Sequence, residues 1–256
     1  MLRLVLMPLL AAVVFCGSAL AEPKPAIVLI IDDLGNNHAS SLRAISLHGD
    51  VTCAILPHTP HAANVAKLAE QAGKEVIVHV PMSSIHGRET GPGGLNEQQS
   101  RQHFVQILTS NLGAIPHARG VNNHMGSALT QNGDMMSLMM SVISEHQLYF
   151  VDSRTSPKTV ATTAASLHNI KHLSRDVFLD NSQDLDNIHQ QFQKLLRIAR
   201  EEGIAVGIGH PYPTTLEYLE SVLPTLEATE QIRIIRGSEA ISLRYSAPQA
   251  AIALAP

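Results

Sequence analysis

Eight short stretches of the chain are apolar or alternate apolar with polar residues, the period-two signature of strands. They cover 26–31, 51–56, 75–80, 118–122, 148–152, 176–179, 204–208 and 232–235. Between them, apolar residues recur at helical spacing over 39–47, 60–72, 97–112, 134–146, 159–168, 184–202 and 214–226. In 184–202 the positions Leu185, Ile188, Phe192, Leu195, Leu196 and Ala199 share one face, and Gly203 follows as a C-terminal cap. Regular alternation of strand and helix predicts a parallel sheet covered by helices. Eight strands favour closure into a barrel over an open sheet. The expectation is a single α/β domain with seven to eight strand–helix units. No Gly-, Pro- or Ser-rich linker divides the chain, and 86–95, with Gly91-Pro92-Gly93-Gly94, reads as a loop long enough to cover a site.

The ends differ from the middle. Arg3 precedes an apolar run that closes on Ala19-Leu20-Ala21, a small-x-small cleavage site, so residues 1–21 read as a signal peptide and the product as exported and periplasmic. That run is too short for a stable membrane span. Residues 22–245 form the expected domain, and 246–256 an Ala/Pro-rich disordered tail. Past the cleavage site Cys53 stands alone in an apolar run, which makes it a small core residue with no disulfide partner.

Composition narrows the partners. Lys+Arg 18 against Asp+Glu 22 leaves a formal charge of −4, which gives no cationic surplus for nucleic acid or an anionic membrane. The 14 histidines nearly match the basic residues in number, and histidine is the commonest metal ligand and proton carrier near neutral pH. Most of them lie on predicted helices; the rest sit where chemistry collects.

In parallel α/β folds the C-terminal strand ends build the active site. Here those ends carry Asp32-Asp33, His79, Asn122-Asn123-His124, Asp152-Ser153-Arg154, Asp180-Asn181 and His210. Adjacent carboxylates near imidazoles can divide the work, one holding a divalent cation while the other takes a proton from water. His79 could equally be a satisfied core histidine. Asp152 could orient an imidazole or cap its own turn, and Arg154 could neutralise a carboxylate or simply meet solvent.

The series I-I-D-D-L-G, H-V-P-M, G-V-N-N-H-M-G-S, V-D-S-R-T, F-L-D-N and I-G-H-P, in this order, resembles the divergent polysaccharide deacetylase family of bacterial envelopes, from about residue 26 to about residue 243. That family is similar to carbohydrate esterases that remove N-acetyl groups from chitin and peptidoglycan. The resemblance implies a distorted (β/α) barrel and a divalent metal, zinc by preference. It assigns Asp32 as catalytic base, Asp33 and His79 as metal ligands, His210 as general acid and Asp152 as the carboxylate orienting it. The relatives' H-x-x-x-H departs here, because Ser83 stands four residues after His79; His124 is the replacement ligand. Asn123, Arg154 and Tyr212 are expected to contact substrate, Tyr212 as a sugar platform in a chain with Trp 0 and only 4% aromatics.

The implied activity is metal-dependent deacetylation of a polysaccharide, hydrolysis of a C–N bond other than a peptide bond. The expected partners are an acetylated glycan or peptidoglycan and a cell-wall protein. Two readings compete. One is a catalytically silent envelope protein that binds glycan or a cell-wall factor with the same fold. The other is a metal phosphoesterase, which would need an Asp-x-His start and a bridging acid that the chain lacks.

Overall fold

The computed structural model describes residues 24–246. The expected signal peptide and residues 247–256 of the expected tail lie outside the described residues. The elements run β1 (Ala26–Leu34), α1 (His38–Ser46), β2 (Thr52–Ile55), α2 (Ala62–Gln71), β3 (Glu75–Met82), α3 (Arg101–Ala114), β4 (Gly120–Met125), α4 (Gly133–Glu145), β5 (Tyr149–Asp152), α5 (Ala161–Leu167), β6 (His172–Ser174), β7 (Val177–Phe178), α6 (Leu185–Glu202), β8 (Ile204–Gly209), α7 (Pro213–Val222), α8 (Leu226–Glu230), β9 (Arg233–Ile234) and α9 (Gly237–Ser246). All paired strands are parallel, in the order β6-β5-β4-β3-β2-β1-β8-β7, with β9 joined to the start of β1. The sheet curls into a half-barrel wrapped by helices, within one domain.

Strand alternation sorts the apolar residues into two cores. Ile27, Leu29 and Ile31 pack with the helices, whereas Ala26, Val28 and Ile30 join Ala54, Ile77, Tyr149, Val151, Leu173, Val206 and Ile208 on the concave face. Period-two geometry therefore decides, residue by residue, which side chains reach the barrel interior. Cys53 falls on the helix side, fully buried, where burial pushes its thiol up to about 12. This is the core position its apolar run suggests.

Two elements depart from the sequence pattern. The strand expected at 176–179 is one end of an extended segment that first pairs with β5 as β6, then with β8 as β7. Arg175 N donates to Asp152 O on one side of this seam, and Asp176 N donates to Val206 O on the other. A three-residue strand, His172-Leu173-Ser174, is too short and too polar to show as a periodic run. The second departure is α9, which crosses the N-terminal end of the concave face and inserts Ala240 and Ile241 there. The Glu75 carboxylate accepts from Ser238 N at 3.1 Å and from Tyr149 Oη at 2.8 Å, fixing α9 to β3 and β5.

Lesser shifts have local causes. The helix expected from residue 97 starts at Arg101, because Ser100 caps it by accepting from His103 N. The helix expected over 214–226 breaks into α7, a 3₁₀ turn holding Pro224, and α8.

If α9 is a plug, removing its buried apolar contact should destabilise the whole barrel. Ile241→Ala is expected to cost about 2–4 kcal/mol, which lowers the melting temperature by roughly 4–16 °C in a domain of this size. Thermal unfolding followed by circular dichroism checks this, and an unchanged midpoint would show α9 to be peripheral.

Candidate metal and catalytic centre

The polar residues of the rim follow the alternation that sorts the core. On β1, Asp32 continues the inward series of Ala26, Val28 and Ile30. On β4, Asn122 and His124 share their face with Gly120, which approaches the Tyr149 ring. On β3, His79 follows inward Ile77, and on β8, His210 follows Val206 and Ile208. Strands β1, β3, β4 and β8 thus aim a carboxylate, an amide and three imidazoles into one end of the barrel.

Asp33 should point the other way, next to Asp32 on a strand. A β-bulge prevents this. Ile31 pairs with Cys53 and Leu34 with Ile55, so three steps along β1 match two along β2. Asp33 is the extra residue and takes a left-handed φ of 59°. Leu34 returns to the helix-side core with Ile31, and both carboxylates face the site.

There Asp33 Oδ1 lies 2.8 Å from His124 Nδ1 and 3.2 Å from His79 Nε2. The two ring nitrogens are 3.2 Å apart. Despite these short contacts Asp33 Oδ1 is a buried acceptor without a properly directed donor. An oxygen and two nitrogens crowded around one point suit a cation. Zn–N bonds of about 2.0–2.1 Å place tetrahedral ligand atoms roughly 3.3 Å apart, close to the spacing here. The donor set fits a divalent metal with one or more positions open. Asp33, His79 and His124 are the group able to hold a metal ion among the described residues.

Electrostatics support this. Burial alone would raise the Asp33 carboxyl, but His124 and His79 outweigh it and hold it well below the usual carboxylate range. Burial would lower His79; Asp32 and Asp33 outweigh it and raise its affinity for a proton. The pocket attracts positive charge, whether proton or metal. Asp32 is raised by burial, against the pull of His79 and His210. Its Oδ1 accepts from Asn122 Nδ2 at 2.7 Å, and its Oδ2 lies 3.6 Å from His79 Nε2.

His210 completes the cluster, its Nε2 3.9 Å from Asp33 Oδ2. Its Nδ1–H donates to Asp180 Oδ1 at 2.9 Å. Asp180 Oδ2 accepts from His210 N at 2.6 Å and from Thr215 Oγ1 at 2.9 Å. Burial would depress this imidazole, but the Asp180 hydrogen bond and charge, then Asp32 and Asp33, bring it to about 9. The Phe178 and Tyr212 rings lie 5.1 and 5.3 Å from the His210 ring.

Two expectations need correction. Asp152 does not orient His210. It shares the outward register of Phe150, and its oxygens accept from Arg154 N at 2.8 Å and Thr159 Oγ1 at 3.0 Å, so it caps its own turn. The orienting carboxylate is Asp180. Phe178 pairs with Ile208, and two residues further on each strand brings Asp180 beside His210. Asn123 also faces outward: buried, it accepts from Ser153 N at 2.9 Å and donates to Met125 O at 2.7 Å, leaving little for substrate. The amide in the site is Asn122. Arg154 is exposed at the rim; the arginine built into the structure is Arg175, whose guanidinium donates to Ser153 O and Arg154 O and lies 4.8 Å from the Phe178 ring centre. Ser83, at the position of the absent histidine, turns aside to donate to Glu97 Oε2.

Residues 29–240 match the family model described as divergent polysaccharide deacetylase. The uncharacterized protein YibQ of Escherichia coli K12 is 34% identical over 210 residues, 81% of this chain; the chain spans 66% of that protein, slightly under two thirds. Among solved structures, an uncharacterized protein of Agrobacterium tumefaciens C58 aligns over 86% of this chain and 90% of its own, with TM-score 0.81 and 21% identity. A CE4 family pseudoenzyme from Bacillus anthracis aligns over 85% of this chain and 66% of its own, with TM-score 0.50 and 14% identity. These two show a shared fold.

The Asp180–His210 pair makes a prediction with a definite sign. In metal-free protein, Asp180→Asn removes the largest charge holding the proton while burial persists, so the His210 midpoint should fall from about 9. Because the folded-state midpoint is raised, the pair stabilises the fold fully below about pH 6.5 and loses that contribution as pH rises through the folded value. NMR titration of the imidazole and unfolding at pH 6 and pH 10 check both parts. An unshifted His210 in the variant would show that another group sets its affinity.

Proposed function

Because the chain belongs to the divergent polysaccharide deacetylase family, we propose that it is a metal-dependent hydrolase that removes N-acetyl groups from an envelope glycan of the peptidoglycan type. What carries this reading is the assembly, in one cluster, of a three-residue metal group, a buried carboxylate and an imidazole backed by its own carboxylate.

Asp33, His79 and His124 would hold the metal, zinc by the preference of a carboxylate–imidazole set. A divalent cation there supplies Lewis acidity, polarising the acetyl carbonyl and making water acidic enough to attack near neutral pH. Asp32, its proton affinity raised by burial, accepts the proton given up by water. His210, protonated at neutral pH, donates from Nε2 to the departing nitrogen, since an amine anion is too poor a leaving group unaided. Asp180 holds the other ring nitrogen and compensates its charge. Tyr212, half-buried beside the acid, offers the apolar ring face on which a sugar can stack.

A silent relative on the same fold is the second reading. It draws on Ser83 and on the pseudoenzyme neighbour, a mutant of which is described as having restored enzymatic activity. Against it stands His124, which supplies the third ligand from the adjacent strand, in register with Pro81 of β3. Export follows the same proposal, because the substrate lies outside the cytoplasm. Mature protein from the cell envelope should begin at Glu22, and an intact Met1 on cytosolic material would refute it.

Activity separates the two readings. Asp32→Asn and His210→Ala should each lower acetate release from N-acetylated glycan by about 10²–10⁴-fold with zinc still bound. The double variant should fall little below the worse single one, because both residues serve one step. Chelation should abolish release, and zinc should restore it. Zinc-loaded wild type that releases no acetate from any such glycan, with Asp32→Asn fully functional in cells, would establish the silent reading.

A further inference from the structure

We propose that Asn122 is the positioning residue of this centre, a single buried amide that sets the tautomer of His79 and the orientation of Asp32 together. The inference rests on the metal reading above and extends it to a residue outside the ligand set.

Asn122 is fully buried on β4, in register with His79 of β3. Its carbonyl oxygen accepts from His79 Nδ1–H at 2.7 Å. Its NH₂ donates to Asp32 Oδ1 at 2.7 Å, with a longer 3.5 Å contact to Ser153 Oγ. The amide cannot turn over without placing its oxygen against the Asp32 carboxylate. The charge on Asp32 therefore selects the amide orientation, and the amide selects the tautomer of His79 that carries hydrogen on Nδ1. Nε2 is then left with its lone pair facing Asp33 Oδ1 and His124 Nδ1. A ligating imidazole characteristically donates its other N–H to an oxygen that fixes its orientation. Here that oxygen belongs to an amide whose far end holds the proposed base.

The residue type follows. An aspartate at 122 would still accept from His79 but would set a second carboxylate against Asp32. An apolar side chain would leave buried groups of both His79 and Asp32 unpaired. Only an amide serves both at once, and glutamine is one methylene too long for the gap.

The test is zinc affinity by chelator competition on the full chain, wild type against Asn122→Ala and Asn122→Asp, with imidazole ¹⁵N shifts of the metal-free proteins at a pH where His79 is neutral. Asn122→Ala should bind zinc about 10–100-fold more weakly and, metal-free, show mixed His79 tautomers in place of the Nδ1–H signal. Asn122→Asp should bind at least as tightly as wild type and keep that signal, while losing acetate release wherever wild type shows it. A merely structural asparagine predicts instead that both variants lose zinc in parallel with thermal stability. Zinc affinity and ¹⁵N pattern unchanged in Asn122→Ala would overturn the proposal. If that variant does not fold, loss of zinc from folded Asn122→Asp would overturn it equally. Should wild type take up no zinc, the metal reading falls by itself. Asn122 is then judged on metal-free protein at a pH where His79 is neutral: Nδ1–H in wild type and mixed tautomers in Asn122→Ala support it, and identical tautomers refute it.

Discussion

The centre depends on one extra residue in β1. A strand sends neighbouring side chains to opposite faces, so two consecutive carboxylates cannot both enter a barrel unless the backbone is displaced between them. The bulge at Asp33 makes that displacement, and it does so with a left-handed aspartate where glycine would meet no steric objection. Such a conformation costs on the order of 1–3 kcal/mol and persists only where its surroundings enforce it. Here they do. Leu34 is fully buried on the helix side, and Leu56 N donates to Leu34 O at 2.9 Å, so the strand is pinned just beyond the bulge.

Charge is the second constraint. The rim concentrates Asp32, Asp33 and Asp180 with His79, His124 and His210, and Asp32, His79 and Asp180 are nearly out of contact with water. Buried carboxylates are costly unless compensated. Without a metal, the compensation comes from protons on the imidazoles, which is why His79 and His210 are both raised. A divalent cation on the Asp33 side would replace the proton at His79 and leave the one at His210, which has Asp180 to itself. The cluster thus divides into a half that suits a metal and a half that suits a proton.

The architecture serves this division. The metal half draws on β1, β3 and β4, adjacent or nearly so within the continuous ladder. The proton half sits at the seam, where one extended segment pairs first with β5 and then with β8. Arg175 lies on that seam and donates to the carbonyls of the β5 turn, with Phe178 beneath its guanidinium and His210 beyond Phe178. At the opposite end of the barrel α9 covers the apolar interior with Ala240 and Ile241.

Much of this was legible in the chain. Most strands and helices, the single-domain architecture and the placing of Asp32, Asp33, His79, His124 and His210 at strand ends follow from periodicity and from strands that end in polar residues. Strand parity carried past the last apolar residue also separates Asn122 from Asn123 and turns Asp152 away, since neighbours take opposite faces. The sequence by itself therefore determined which residue types reach the rim and on which strands. Tertiary structure alone decided the rest. The bulge that turns Asp33 inward appears only when β1 is registered against β2. Asp180 becomes the partner of His210 only because β7 registers against β8 with Phe178 opposite Ile208. The placement of α9 depends on Glu75, Tyr149 and Ser238, which are far apart in sequence. In each case the deciding interaction is a hydrogen bond or register between distant segments, and local periodicity carries no information about those.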